Sequence, residues 1–466
     1  MLKRLFSHSL IYGLAPQIPK IIGVFTLPII TAYLTKLDFG VFGLISAVSG
    51  SIAVFANLGL NVMLSNSFYK SPCQYKWAWR QIYGFLSLWN FPYALILATI
   101  IWFFIPTEAS SNTFEIILVN TLPIILFGPS STLGATYYQL NQKPFQIAFR
   151  SVFIGLLTVG LNVFFIAFMK LGYMGWFYSM AISQFVLQFS YWYPLNKIIK
   201  ITPIYNFKWR FIKKQLSVSL PTVPHYYSTY LLTTSDRLVM KISNVSTGNI
   251  GMYNAANTVS NFMAILANAS GQAVGPMLLN AYKEKNEKLA RNLVFVLQVV
   301  FLCGTFAVSI WMKEIFHFLI KNKELQSVYP LGIILVMAYN YRPMYFGANA
   351  RLFYIEKTKS LLEVSFIAGL GTFMLNIVLM PILGFEIAAY TTFIGFMYMG
   401  YSGYFLKVYK ENEVLKYYPL LWLLATIFLT VLSYFIVEIQ IVYKILITLF
   451  VLFVVFFGLK KIKNNG

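Results

Sequence analysis

Apolar runs of about 20 residues recur along the chain with only short polar breaks between them, and that is the length a helix needs to cross a bilayer. Hydropathy, read against polar and Pro/Gly breaks, places fourteen spans at 9–34, 41–63, 81–104, 114–138, 151–169, 175–195, 217–240, 250–279, 290–312, 328–350, 360–382, 384–406, 417–437 and 440–459. The longest outer loop lies near 313–327, and no loop is large enough to form a separate soluble domain. In lipid the backbone must satisfy its own hydrogen bonds, which leaves helices or closed barrels. The short alternating segments of a barrel are absent. The expected fold is therefore an all-α polytopic membrane protein. The composition agrees: 58% of residues are hydrophobic and 11% charged, against about a quarter charged in a soluble domain.

A formal net charge of +22 raises the question of nucleic acid. The distribution answers it. With the N-terminus inside, most of the 36 Lys and Arg fall in cytoplasmic segments and only 6 in outer loops, as the positive-inside rule expects. No DNA-binding motif accompanies them, so no nucleic-acid partner is expected. An even number of spans returns the basic tail GLKKIKNNG to the cytoplasm as well. The basic start MLKR resembles a signal peptide, but the apolar region after it is too long and is interrupted by Lys20; it reads as a retained first helix. Cys73 falls in a loop and Cys303 in a span, which makes them implausible disulfide partners. Three His and two Cys are scattered without metal-ligand spacing. No P-loop appears. Neither a cofactor nor ATP hydrolysis by this chain is expected.

The sequence also echoes itself. Pro16-Gln-Ile-Pro19-Lys20 in the first span is matched by Pro221-Thr-Val-Pro224-His225 in the seventh, a P-x-x-P followed at once by a basic residue. Each leads through a short outer loop into Gly-x-aromatic, Gly40-Val41-Phe42 in one case and Gly251-Met252-Tyr253 in the other. Two such pieces in the same order, six helices apart, point to two six-helix halves running in the same direction, with substrate near their interface.

Ionisable groups inside these spans are the candidate functional residues. A charge at bilayer depth costs at least about 2.5 kcal/mol, so it should face protein or an aqueous cavity. On one continuous helix, Asp236 falls about 20° from His225 and Thr229 about 40° from it. Gln17, Lys20 and Thr31 likewise share a face within about 60°. Both stripes are expected to face a shared cavity. Lys20 lies near mid-span, where snorkelling is difficult. Arg342, in AYNYRPMYF, precedes a helix-distorting proline. His225 reads equally as a neutral packing residue, and Asp236 with Arg237 as an interfacial ion pair. Glu363 and Glu386 read more simply as helix-end carboxylates.

SLPTVPHYYSTYLLTTSDRLVMKISNVSTGNIGMYNAANTVS, residues 219–260, resembles the middle of bacterial oligosaccharide flippases of the Wzx type. The matching positions are Pro221, Pro224, His225, Asp236, Arg237, Gly251, Tyr253 and Ala256. LTKLDFGVFGLISAVSG, residues 34–50, is similar to the family's entry into its second helix. The resemblance implies the fold of multidrug and oligosaccharide exporters. In that fold two six-helix bundles, here 1–203 and 204–406, form a V around a central cavity, and two extra helices follow, here 407–466. It also implies a substrate: undecaprenyl-diphosphate-linked oligosaccharide repeat units, moved from the inner to the outer leaflet of the bacterial cytoplasmic membrane. A polysaccharide polymerase and glycosyltransferases would be the partners. Lys20, Arg342 and Arg237, with Gln17 and His225, are the residues expected to meet the anionic headgroup. Asp236 or His225 would couple a proton or sodium gradient. A drug antiporter of the same superfamily should instead favour carboxylates in its cavity, and this chain has only two Asp, Asp38 and Asp236. A membrane-bound glycan enzyme should show a substantial outer loop or paired carboxylates, and neither is present. The chain is not expected to be an enzyme.

Overall fold

The computed structural model describes residues 17–412 and 414–464, with the side chains of Lys20, His225, Thr358 and 454–464 outside the description. All regular elements among the described residues are helices. In chain order they begin with α1 (Ile18–Ile30), α2 (Lys36–Ala53), α3 (Asn61–Lys70), α4 (Tyr75–Phe104), α5 (Thr113–Phe127), α6 (Ser130–Leu140), α7 (Pro144–Asn162) and α8 (Tyr173–Tyr193). Next come α9 (Trp209–Ser219), α10 (Val223–Thr233), α11 (Ser235–Ile242), α12 (Thr247–Lys283), α13 (Glu287–Ile310), α14 (Met312–Leu319) and α15 (Lys323–Gln326). The chain ends with α16 (Tyr329–Ala338), α17 (Tyr341–Tyr354), α18 (Thr358–Leu383), α19 (Ile387–Tyr401), α20 (Lys407–Glu411), α21 (Pro419–Ile436) and α22 (Ile441–Asn464).

Among the described residues, eight helical segments are long and apolar enough to cross a membrane, and they overlap eight of the predicted spans. The other six predicted spans fall on helices that are shorter, interrupted or more polar, so length and composition alone do not reach fourteen. The first of these six begins in residues outside the description. Two of them are broken where the sequence places charge. The span predicted at 217–240 comprises the end of α9, a 3-10 turn at Leu220–Thr222, then α10 and α11. Pro221 and Pro224 lack the amide hydrogens a continuous helix needs. A second break falls at Thr234, whose φ of −139° and ψ of −22° leave the helical region. The 20° separation of His225 and Asp236 assumed one unbroken helix, and it does not carry across this break.

The span predicted at 328–350 breaks between α16 and α17. Pro343 disfavours a continuous helix here, because its ring would crowd the carbonyl four residues earlier. Buried side chains supply donors to two backbone carbonyls at the break. Gln298 donates to the Asn340 carbonyl at 3.1 Å, while the Asn340 amide donates to Thr305 at 2.7 Å and to the Met337 carbonyl at 3.0 Å. Irregular backbone at membrane depth requires such internal partners.

The described chain divides into two compact units. The first contains the residues up to Tyr230 together with Ser246–Gly251; the second contains Leu231–Val245 and the residues from Met252 onward. The core of the first unit gathers Leu60, Leu64, Trp79, Ile82, Leu195 and Ile212. The Trp79 indole donates to the Leu64 carbonyl at 3.0 Å. The polar segment before α9 is fixed to α4, with the Arg80 Nε donating to the Thr202 carbonyl at 3.0 Å and the Lys208 amide to Gln81 at 2.7 Å.

Also within the first unit, the sequence echo becomes a reciprocal contact. Thr35 and Asp38 form a capping box at the start of α2, and Ser246 accepts from the Asn249 amide at 3.3 Å as α12 begins. Each cap lies five residues before its glycine. A Cβ on Gly40 would stand 2.0 Å from the Thr247 carbonyl oxygen, and one on Gly251 would stand 1.8 Å from the Lys36 carbonyl oxygen. Glycine is required at both positions because backbone meets backbone there.

In the second unit, polar contacts fasten the last two helices. Lys444, fully buried in α22, donates to Glu314 at 2.6 Å, and the Trp311 indole donates to Thr448 at 2.9 Å. In the loop after α21, Glu438 accepts from Lys313 and Tyr329, hydrogen bonds that hold its carboxyl below the ordinary carboxylate range.

Two outcomes follow for stability. Gly251→Ala must push two backbones apart and should cost about 1–3 kcal/mol, whereas Gly304→Ala, with nothing within 4 Å of its Cβ, should be neutral or better; thermal unfolding in detergent distinguishes them. Lys444→Ala leaves a partly buried carboxylate unpaired. Its cost should fall near the lower end of the roughly 3–5 kcal/mol for breaking a buried pair, because Glu314 is 32% exposed. Adding Glu314→Gln should recover part of the lost stability.

Candidate functional site

The second unit contains a cavity of about 220 Å³ bordered by α10, α12, α16, α17 and α19. Among the described residues, Arg342, from the first turn of α17, is the one charged residue in its lining. The break before Pro343 places this arginine at the start of a helix rather than in the middle of one. There its charge lies against the positive end of the helix dipole, and an anion is the complementary guest. Its guanidinium stands 5.0 Å over the Tyr341 ring, which stacks on Phe396 at 4.5 Å. The Arg342 Nε is buried with no hydrogen-bond partner, an arrangement that costs free energy unless an acceptor arrives.

The remaining polar lining is neutral. Asn257, Asn261 and Asn268 line the cavity from α12, with Ser260 between them. Tyr339 donates to Asn261 at 3.2 Å. Thr233, Thr392 and Tyr253 add hydroxyls, while Leu335 and Phe396 supply apolar walls. The sequence reading missed this row of amides, although its signal was available. Asn254, Asn257, Asn261 and Asn268 are spaced by three, four and seven residues, which keeps them within about 60° on one helical face. Attention to ionisable groups passed over the neutral ones.

Tyr253 connects the cavity to two of the predicted residues. Its hydroxyl donates to Asp236, which is 3% exposed at the start of α11 and also accepts from the Arg237 amide at 2.8 Å. A carboxylate in the first turn is favoured by the helix dipole. The Arg237 guanidinium lies 3.9 Å from Asp236 and 5.9 Å over the Tyr253 ring, and its Nε is buried without a partner. Asp236 and Arg237 thus form a buried pair behind Tyr253, and neither lines the cavity.

Gln17 sits in the first unit as the residue capping α1, buried, with its Oε1 unpartnered. Lys20 and His225 lie on α1 and α10, with side chains outside the description. The structure therefore brings Asp236 and Arg237 together, links them through Tyr253 to the cavity that Arg342 lines, and places Gln17 in the other unit. Among the described residues no group of three or more His, Cys, Asp and Glu could hold a metal ion.

Comparison with solved structures identifies the class. The lipid II flippase MurJ in an inward closed conformation aligns over 94% of this chain and 99% of its own, with 15% identity and a TM-score of 0.66. An inward-facing multidrug resistance MATE family transporter of the MOP superfamily aligns over 85% and 93%, with 15% identity and a TM-score of 0.54. A MOP superfamily transporter from Pyrococcus furiosus aligns over 85% and 92%, with 14% identity and a TM-score of 0.53. At these identities the likeness is one of fold. Residues 5–281, more than half of the chain, match the family described as polysaccharide biosynthesis protein, and the chain belongs to that family. None of the curated proteins matches the sequence.

Tyr253→Phe removes the hydroxyl donor from buried Asp236 and should lower stability by about 1–3 kcal/mol. Adding Asp236→Asn should return part of the loss, because a neutral amide tolerates burial better than an under-solvated carboxylate. Thermal unfolding of the four members of this cycle checks the coupling.

Proposed function

We propose that the protein is a flippase that moves undecaprenyl-diphosphate-linked oligosaccharide repeat units from the cytoplasmic to the outer leaflet of the bacterial inner membrane, for surface polysaccharide synthesis. One observation carries this reading: among the described residues the cavity sets one fixed cation, Arg342, with a buried unpartnered Nε, among neutral amides and hydroxyls. A lipid-linked oligosaccharide has an anionic diphosphate and a hydrated glycan, neither of which crosses hydrocarbon unaided. Its polyprenyl tail can remain in lipid. An arginine replaces the water around an anionic oxygen with charge-assisted hydrogen bonds, and amides replace the water around hydroxyls. Membership of a polysaccharide biosynthesis family and a fold shared with a lipid II flippase support the same reading.

The mechanism in this reading is alternating access, opening first to the cytoplasm and then outward. Both termini would be cytoplasmic. Lys20 and Arg237 are further candidates for the diphosphate, with Gln17 and His225 as neighbouring polar contacts. Asp236, connected to the cavity through Tyr253, is the candidate for coupling to a proton or sodium gradient, with His225 second. A polymerase and glycosyltransferases acting on the same glycan are the proposed partners.

The test is reconstitution in liposomes with an assay of whether a lipid-diphosphate oligosaccharide is accessible or protected. Wild type should move it, and Arg342→Gln should lose about tenfold or more, the worth of one charge-assisted hydrogen bond. Lys20→Ala, folded and inserted, should also be slower. Efflux of organic cations without glycan movement would assign the protein to drug export instead.

A further inference from the structure

We propose that the amide row of α12 is the sugar-reading element of the cavity: Asn257 and Asn261, with the Tyr339 hydroxyl, recognise an uncharged, hydroxyl-rich sugar residue separately from whatever anion Arg342 holds. This rests on the reading of the protein as a flippase for lipid-linked glycans. Three observations carry it.

The first is chemical. A sugar hydroxyl both donates and accepts, and a neutral primary amide offers two donors and one accepting oxygen on a single side chain, so it can meet a hydroxyl in either role. Guanidinium only donates, and no carboxylate lines the cavity to act as a pure acceptor. A lining chosen for an organic cation would invert that pattern.

The second is geometric. From Asn257 to Asn268 the row rises by about 16 Å along one face of α12. Asn257 is buried, Asn261 is exposed and Asn268 is half-buried, so the middle amide of the row is the one most open to a ligand. The Asn261 oxygen accepts from Tyr339, which turns its NH₂ donors away from that ring. Tyr339 and Phe396, with centroids 5.7 Å apart, provide adjoining aromatic surface for the apolar face of a sugar ring.

The third is size. The cavity, at about 220 Å³, is smaller than the roughly 300–1,000 Å³ of sites for drug-sized ligands. It suits one sugar residue rather than a whole oligosaccharide. Asparagines on membrane helices also act as glue between helices, but glue is buried in a helix contact, and these residues line a space.

The experiment compares two probes with the full-length protein in liposomes: undecaprenyl diphosphate carrying a neutral oligosaccharide, and bare undecaprenyl diphosphate. Wild type should favour the glycosylated probe. The double variant Asn257→Leu/Asn261→Leu should lose that preference by about tenfold, with the bare probe changed by less than about threefold. Asn261→Gln should keep part of the preference, and Tyr339→Phe should lose part of it while keeping the ring. These two milder variants carry the readout if the double variant does not fold. Equal losses on both probes would make the row structural and overturn the proposal. In detergent, the free neutral oligosaccharide should raise the thermal midpoint of wild type and not that of Asn261→Leu; the same shift in both would also overturn it. If wild type moves neither probe the flippase reading fails, and the thermal shift then decides the sugar site by itself.

Discussion

Removing charge and unpaired backbone from water is the constraint on which this structure depends. In hydrocarbon each unsatisfied group costs several kcal/mol, so an interruption in a membrane helix is tolerated only where protein supplies the missing partners. Two of the interrupted spans, 217–240 and 328–350, carry the chemistry. At one, Gln298, Asn340 and Thr305 form a buried network beside the break that starts α17 with Arg342. At the other, Asp236 opens α11 and is held by Tyr253 and the Arg237 amide. The breaks put these charged side chains at helix starts, with Arg342 bordering the cavity and Asp236 enclosed by its protein partners.

The echo between the two halves of the sequence has a physical counterpart in the paired glycines. Gly40 faces the carbonyl of Thr247 and Gly251 faces the carbonyl of Lys36, so positions equivalent in the repeat exchange equivalent contacts. Caps at Thr35 and Ser246 fix where each helix begins and therefore which residue arrives at the contact. Any side chain larger than hydrogen would hold the backbones apart. The glycines in the echo are thus a packing requirement, while Pro221 and Pro224 upstream of Gly251 fall at the break that introduces α10.

Much of the architecture was legible before any coordinates. The apolar runs, the basic loops and the Wzx-like segment led to an all-helical membrane protein of the polysaccharide biosynthesis family, and Arg342 was singled out from its place before Pro343. The angular argument joining His225 to Asp236 did not survive, because Thr234 leaves the helical region and a projection is meaningful only along an unbroken helix. The asparagine row was overlooked for a different reason. Its residues carry no charge, and their spacing gains meaning only once the same face is seen to border a cavity.

The sequence by itself determined that this chain is a bundle of membrane helices, since hydrophobicity and the backbone's need for internal hydrogen bonds are local properties. It also marked Pro221, Pro224 and Pro343 as places where a helix is strained, since proline lacks its amide wherever it stands, although Pro92 and Pro276 lie inside unbroken helices. Only the tertiary structure decided which polar residues meet. It alone set Asp236 against Arg237 and Tyr253, Lys444 against Glu314, and Arg342 beside the amides of α12. Those pairings join residues distant in the chain, and their free energy exists only after packing has excluded water from around them.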